Sequence, residues 1–199
     1  MILLPPDFYR PNDSVQLARA LLGKILLTEL DGVRTSGRIV ETEAYRAPED
    51  RASHAFGNRR TPRTEIFFAE GGHAYVYRCY GIHCLFNIGT GEAGVSHAVL
   101  VRAVEPLEGL SQQLARRRAQ RPGPALTNGP GKVAQALGIG MAHYGLPLFD
   151  PQSPVRCYAD DFPPLSDDQI LCSPRVGVEY AGADALLPWR FRIKGRFIK

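Results

Sequence analysis

Apolar positions along the chain change period several times, and each change marks an element. "NDSVQLARALLGK" places Val15, Ala18, Leu21 and Leu22 on one helical face, with Asp13 or Ser14 as the start and Gly23 as the stop. "KILLTELDGVRTSGRIVETEAY" then reads as two strands joined by a turn at Asp31-Gly32. "RAPEDRASHAFGNRRTPRTEIFF" is polar, basic and broken by Gly and Pro, so mostly loop, with room for a short helix, is expected.

"HAYVYRCYGIHCLFNIGTG" predicts a β-hairpin turning near Tyr80-Gly81. "SHAVLVRAVEP" is a nearly all-apolar strand interrupted by Arg102. A helix is expected after Pro106, with Arg116, Arg117 and Arg118 near its end, where cations are favoured. "LTNGPGKVAQALGI" predicts another helix with a Gly-rich start, and residues 145–170 read as an irregular Pro- and Asp-rich excursion. In "PWRFRIKGRFIK", Trp189, Phe191 and Ile193 alternate with Arg190, Arg192 and Lys194, the pattern of a strand with one core face and one outward basic face. Strands arriving in hairpins with helices at the flanks predict a single α+β domain over residues 1–199, built on a mostly antiparallel sheet.

Composition narrows the class. With 44% hydrophobic and 22% charged residues among 199, the chain reads as an ordinary globular protein. Met1–Leu4 is too short for a signal peptide and no window approaches a membrane span, so a cytoplasmic protein with no membrane partner is expected. Cys79, Cys84, Cys157 and Cys172 have no paired ligand spacing, which favours free thiols over a metal site or disulfides. The net charge is +4, and twenty of the 24 basic residues are arginines. A polyanionic partner fits this balance, and so does a simple bias towards arginine.

The segment "IVETEAY" holds the main candidates for chemistry. Side chains two apart share a strand face, so Glu41, Glu43 and Tyr45 lie together. Neighbouring carboxylates push one pKa upward, which suits a group that accepts a proton near neutrality. Periodicity does not separate Glu41 from Glu43. Arg102, among branched aliphatics, needs either a carboxylate such as Glu41 or Glu105 or a bound substrate. Tyr80 at the hairpin tip is either a wedge for DNA or a ring folded back on its own strand. Tyr75 and Tyr77 add stacking surfaces, while Arg59, Arg60, Arg63 and Lys132 are candidate contacts to a DNA backbone. A nucleoside hydrolase and a non-catalytic nucleic-acid module compete with the reading as a DNA enzyme. The tip tyrosine and the arginine loops argue against the first, and the joint presence of Glu43, Arg102 and Tyr45 against the second.

Several stretches together resemble the alkyladenine (3-methyladenine) DNA glycosylase family: "ARALLGKILL", "GRIVETEAYRAPEDRASHAFGNRRTPR", "YVYRCYGIHCLFNIG", "VLVRAVEPLEGL", "TNGPGKVAQALGI" and "RVGVEYAG". The resemblance implies hydrolysis of the N-glycosidic bond of damaged purines flipped out of double-stranded DNA, with no cofactor and no metal. It implies a monomer, nucleoid-associated if bacterial. By motif position it makes Glu43 the general base and Arg102 a holder of the attacking water. Tyr45, His54, Tyr77 and Asn87 become the base pocket, with Asn87 crowding the 2-amino group of guanine. Tyr80 becomes the intercalating residue with Ile82 beside it. Ile82 and His83 depart from the mammalian pattern, which has methionine and a second tyrosine there. A lyase would need an amine nucleophile, and none of Lys24, Lys132, Lys194 and Lys199 is an obvious one, so a monofunctional enzyme is expected.

Overall fold

A computed structural model describes residues 1–196; the last three residues of the expected domain lie outside the described ones. Nine strands form one antiparallel sheet: β1 (Ile2–Leu3), β2 (Ile25–Leu30), β3 (Val33–Arg46), β4 (Ala74–Cys79), β5 (His83–Thr90), β6 (His97–Pro106), β7 (Val155–Ala159), β8 (Ile170–Ser173) and β9 (Arg190–Ile193). The main order is β1-β7-β2-β3-β6-β5-β4, and β9 joins β3 on one side and β8 on the other. The α+β architecture expected from the strand and helix pattern is therefore present.

Three helices pack on the sheet: α1 (Ser14–Ala20), α2 (Leu110–Arg117) and α3 (Pro130–Leu137). Asp13 caps α1 through its side chain, which accepts from the N–H groups of Val15 and Gln16. Gly23 follows with φ +84°, a conformation that costs glycine little. Leu17, Ala18, Leu21 and Leu22 enter the main core with Val40, Ala44, Val99 and Val101. Thr42 on the same face donates to the Ala18 carbonyl. That core is on one side of the sheet, which leaves Glu41, Glu43 and Tyr45 pointing to the other.

The expected hairpins form. Asp31 and Gly32 both take positive φ between β2 and β3, matching the twist that a two-residue hairpin requires. Between β4 and β5 the turn holds Tyr80, Gly81 and Ile82, with Cys79 opposite His83. The polar segment before β4 contains two short 3-10 turns, Phe56–Asn58 and Glu65–Phe68.

Residues 145–170 are not wholly irregular. They contain β7, which lies between β1 and β2 in the sheet, and reach the first residue of β8. Val155 and Cys157 are fully buried while Arg156 and Tyr158 between and after them are not, so a short alternating strand sits inside the Pro- and Asp-rich flanks.

One irregularity interrupts the pairing of β3 with β6. The register runs Ile39↔Val104, Glu41↔Ala103, Thr42↔Val101, which leaves Val40 on β3 and Arg102 on β6 without opposite partners. The two bulges cancel, so the register beyond them equals the register before. Bulges of this kind re-aim side chains next to functional clefts.

Candidate active site

The site is built on a row of cross-strand partners. Tyr75 on β4 lies opposite Asn87 on β5, Asn87 opposite Leu100 on β6, Leu100 opposite Glu43 on β3, and Glu43 opposite Arg190 on β9. Directly opposed residues share a sheet face. Loops 46–70 and 174–187 cover that face and leave a cavity of about 260 Å³. Tyr45, His54, Tyr77, Asn87, Tyr80 and Arg102 all line it.

Glu43 is one layer behind the cavity wall, with 0% exposure. Its Oε2 accepts from the Tyr45 hydroxyl at 2.9 Å and lies 3.3 Å from Arg102 Nη1. Its Oε1 accepts from the Val176 N–H at 2.8 Å. The two donors and the ion-paired Arg102 all belong to residues of the cavity wall. Burial pushes the Glu43 pKa up, and Arg102, the Val176 N–H, Tyr45 and Arg190 oppose that shift.

Glu41 differs. Its Oε1 accepts from Arg102 Nε at 2.9 Å and from Arg190 Nε at 2.6 Å. The buried ion pair expected as one explanation of Arg102 therefore exists, and the same guanidinium reaches Glu43 as well. Arg190 does not face outward as the alternation of the last strand suggests, because β9 lies between β3 and β8 and the Glu41 carboxylate draws it in.

Tyr77 stacks on Tyr75 with ring centroids 5.3 Å apart and meets the His54 ring edge-on at 4.7 Å. His54 Nδ1 and the Tyr75 hydroxyl are 2.8 Å apart, and Arg63 reaches both. Burial, with Arg63 nearby, holds the imidazole pKa down to about 4, so the ring is neutral. Asn87 is buried and donates from Nδ2 to the Tyr75 carbonyl at 3.3 Å. Tyr80 is 91% exposed at a positive φ of 51°, and Ile82 beside it is exposed too.

The basic candidates separate. Arg63 is exposed but lays its guanidinium 4.7 Å from the Tyr77 ring centre. Arg60 pairs with Glu65 at 3.2 Å and lies over Phe68. Lys132 donates to Asn128 at 2.8 Å. Arg59 is exposed and lines a groove with Arg51, Arg63 and Tyr180 that opens beside His54.

Four participants carry no signal in the sequence pattern: Arg190, Arg175, Val176 and Tyr180. Arg175 is fully buried against Asp50 through two bonds of 2.5 and 2.8 Å, and its guanidinium covers the Tyr45 ring at 4.8 Å. Val176 and Tyr180 follow it in "RVGVEYAG", a stretch with no local mark of chemistry beyond its resemblance to the family. Among the described residues no group of three or more His, Cys, Asp or Glu is placed to hold a metal ion, and no helix is long and apolar enough to cross a membrane.

Comparison with known proteins decides the family. The model of the methylpurine-DNA glycosylase family matches residues 7–197. The chain belongs to this family. A protein of Chlamydia abortus named "Putative 3-methyladenine DNA glycosylase" is 46% identical over 95% of this chain and 97% of its own length. One of the same name from Bacillus cereus strain G9842 is 41% identical over 96% of this chain and 95% of its own. Membership makes the protein a DNA glycosylase, a hydrolase of N-glycosyl bonds in base excision repair.

Proposed function

We propose that the protein flips damaged purines, 3-methyladenine and other alkylpurines first among them, out of duplex DNA and hydrolyses their N-glycosidic bond with a water activated by Glu43. The observation that carries this reading is the seat of Glu43: a fully buried carboxylate whose two hydrogen-bond donors and ion-paired arginine all come from the wall of an aromatic cavity. A carboxylate offers about four acceptor positions. Tyr45 takes one on Oε2 and Val176 one on Oε1, with Arg102 ion-paired beside Oε2, so Oε1 keeps a lone pair for a water.

The roles follow from position. Extrusion of the nucleotide costs a few kcal/mol of unstacking. Tyr80, exposed at a hairpin tip with Ile82 beside it, fills the space left in the stack. The base enters between Tyr45 and Tyr77, whose faces suit the electron-poor ring of an alkylated purine. His54, neutral, presents a hydrogen bond to it, and Asn87 crowds the 2-amino group of guanine. Cleavage passes through an oxocarbenium-like sugar, and the negative charge of Glu43 stabilises it while taking the proton of the attacking water. Arg102 holds that water. Its ion pairs with both glutamates keep the guanidinium in place for this task.

The reaction calls for no cofactor, and the product is an abasic site. The protein works as a monomer on DNA in the cytoplasm, nucleoid-associated in a bacterium. Hypoxanthine and ethenoadenine are further substrates of the same pocket. The test is an excision assay on oligonucleotides carrying hypoxanthine, ethenoadenine or an alkylated purine. Glu43→Gln should bind the lesion DNA as the parent does and release no base; near-normal release would refute the assignment.

A further inference from the structure

Glu41 and Arg190 do not line the cavity, yet both are tied to residues that do. One oxygen of Glu41, Oε1, takes the Nε donors of Arg102 and Arg190 together, at 2.9 and 2.6 Å. Arg102 then spends its Nη1 on Glu43, 3.3 Å away. A single guanidinium is thus shared by two carboxylates, and the second arginine decides how strongly one of them pulls. Arg190 stands directly opposite Glu43 in the sheet register but reaches diagonally to Glu41. The four groups sum to zero charge, and their side chains are 0% (Glu43), 12% (Arg102), 14% (Glu41) and 20% exposed (Arg190). Water screens them little.

We propose that Glu41 and Arg190 are positioning residues of the excision reaction: by partitioning Arg102 between two carboxylates, they set the proton affinity of Glu43. The inference rests on the reading of Glu43 as general base. The charged and titratable groups facing Glu43 are Glu41 and Tyr45 on its own strand, Arg102 on β6, Arg190 on β9 and Arg175 from the 174–187 loop. Arg175 is already neutralised by Asp50.

The brace makes two neighbours act in opposite directions. Without Arg190, Glu41 has only Arg102 to neutralise it, so the guanidinium is drawn off Glu43 and a second nearby positive charge is lost. Both changes favour protonated Glu43. Without the Glu41 charge, Arg102 turns wholly to Glu43 and favours its ionised form. A merely structural role would lower the rate of both variants and leave the pH profile in place.

The experiment is single-turnover release of 3-methyladenine from dimethyl sulfate-treated duplex DNA, followed across pH for the parent, Arg190→Met, Arg190→Lys, Glu41→Gln and Glu43→Gln. Arg190→Met should move the acid limb of the profile up by about one pH unit and Glu41→Gln down by about the same, the size expected for one charge at contact range. Arg190→Lys, which keeps the charge, should restore the parent limb. Acid limbs that stay put, or move the same way in both variants, would overturn the inference while Glu43→Gln remains inactive. A Glu43→Gln protein that still excises would instead remove the general-base reading on which it rests. Thermal unfolding of each variant accompanies the assay, and if Arg190→Met does not fold, the Glu41→Gln shift decides alone.

Discussion

Asn87 and Glu43 are both cross-strand partners of Leu100, one on each side of it. The residue proposed to select the base and the residue proposed to activate the attacking water are thus fixed to one rigid row. Asn87 is 4% exposed and tied by its own side chain to the Tyr75 carbonyl, so it has little freedom to move aside. Asn87→Ser shortens the side chain in that row. Release of undamaged guanine from duplex DNA should rise by about tenfold, the scale of discrimination that a small steric difference supplies. Chromatography of the freed bases measures it.

Tyr80→Ser removes a ring that is 91% exposed. Stability should change by no more than about 0.5 kcal/mol, the usual range for surface substitutions. Affinity for lesion-containing duplex should fall by about tenfold or more, because the vacated stack is no longer filled. Urea unfolding and a fluorescence-anisotropy titration separate the two effects.

Asp50 and Arg175 form an ion pair with both side chains at 0% exposure. Asp50→Asn leaves the guanidinium buried without its counter-charge, which costs about 3–5 kcal/mol. The double variant Asp50→Asn, Arg175→Met should recover part of that loss. Equilibrium urea unfolding of the three variants tests the coupling.

His54 gives a pH signature. Its pKa is held down to about 4 in the folded chain against an ordinary 6.5. Between these values the unfolded chain binds more protons, so the contribution of His54 to stability is complete above about pH 6.5 and is lost as pH falls towards 4. In His54→Gln the decline of Tm over that window should be shallower than in the parent. Scanning calorimetry at several pH values reads it directly.

Arg59 and Arg63 should part company although they are four residues apart. Arg59→Ala, from an exposed position, should weaken binding to damaged and undamaged duplex alike and lower the slope of log affinity against log salt by about one. Arg63→Ala, exposed as well but with its guanidinium tied to Tyr75 and His54 and set against Tyr77, should weaken the lesion-specific binding more than the binding to undamaged duplex.

Period-two alternation is enough to place Glu41, Glu43 and Tyr45 on one face and to set the turn at Tyr80, because these are local properties of a strand and a hairpin. What distinguishes the two glutamates is not local. Glu43 receives a backbone N–H from Val176 and stands behind Tyr45, whereas Glu41 takes two arginines, one from the last strand. Alternation also reports which residues share a face but not what covers it, so Arg190 reads as solvent-facing. Strand β7 is hidden by the Pro and Asp residues around Val155 and Cys157. The family resemblance names Glu43 where periodicity does not, and assigns no task to Arg175 or Tyr180.

The opposed bulges at Val40 and Arg102 carry an evolutionary consequence. Ile39 and Val40 both enter the main core, as do Ala103 and Val104, so each bulge absorbs one residue of its strand without turning the rest. Loss of the codon for Thr42, in the regular stretch beyond, has no such buffer and turns every following side chain to the opposite face. Ala44 would then look into the cavity and Glu43 and Tyr45 into the α1 side of the sheet. Length variation among descendants of this chain should therefore spare the regular stretches of β3 and β6 and collect at the bulges and in the connecting loops.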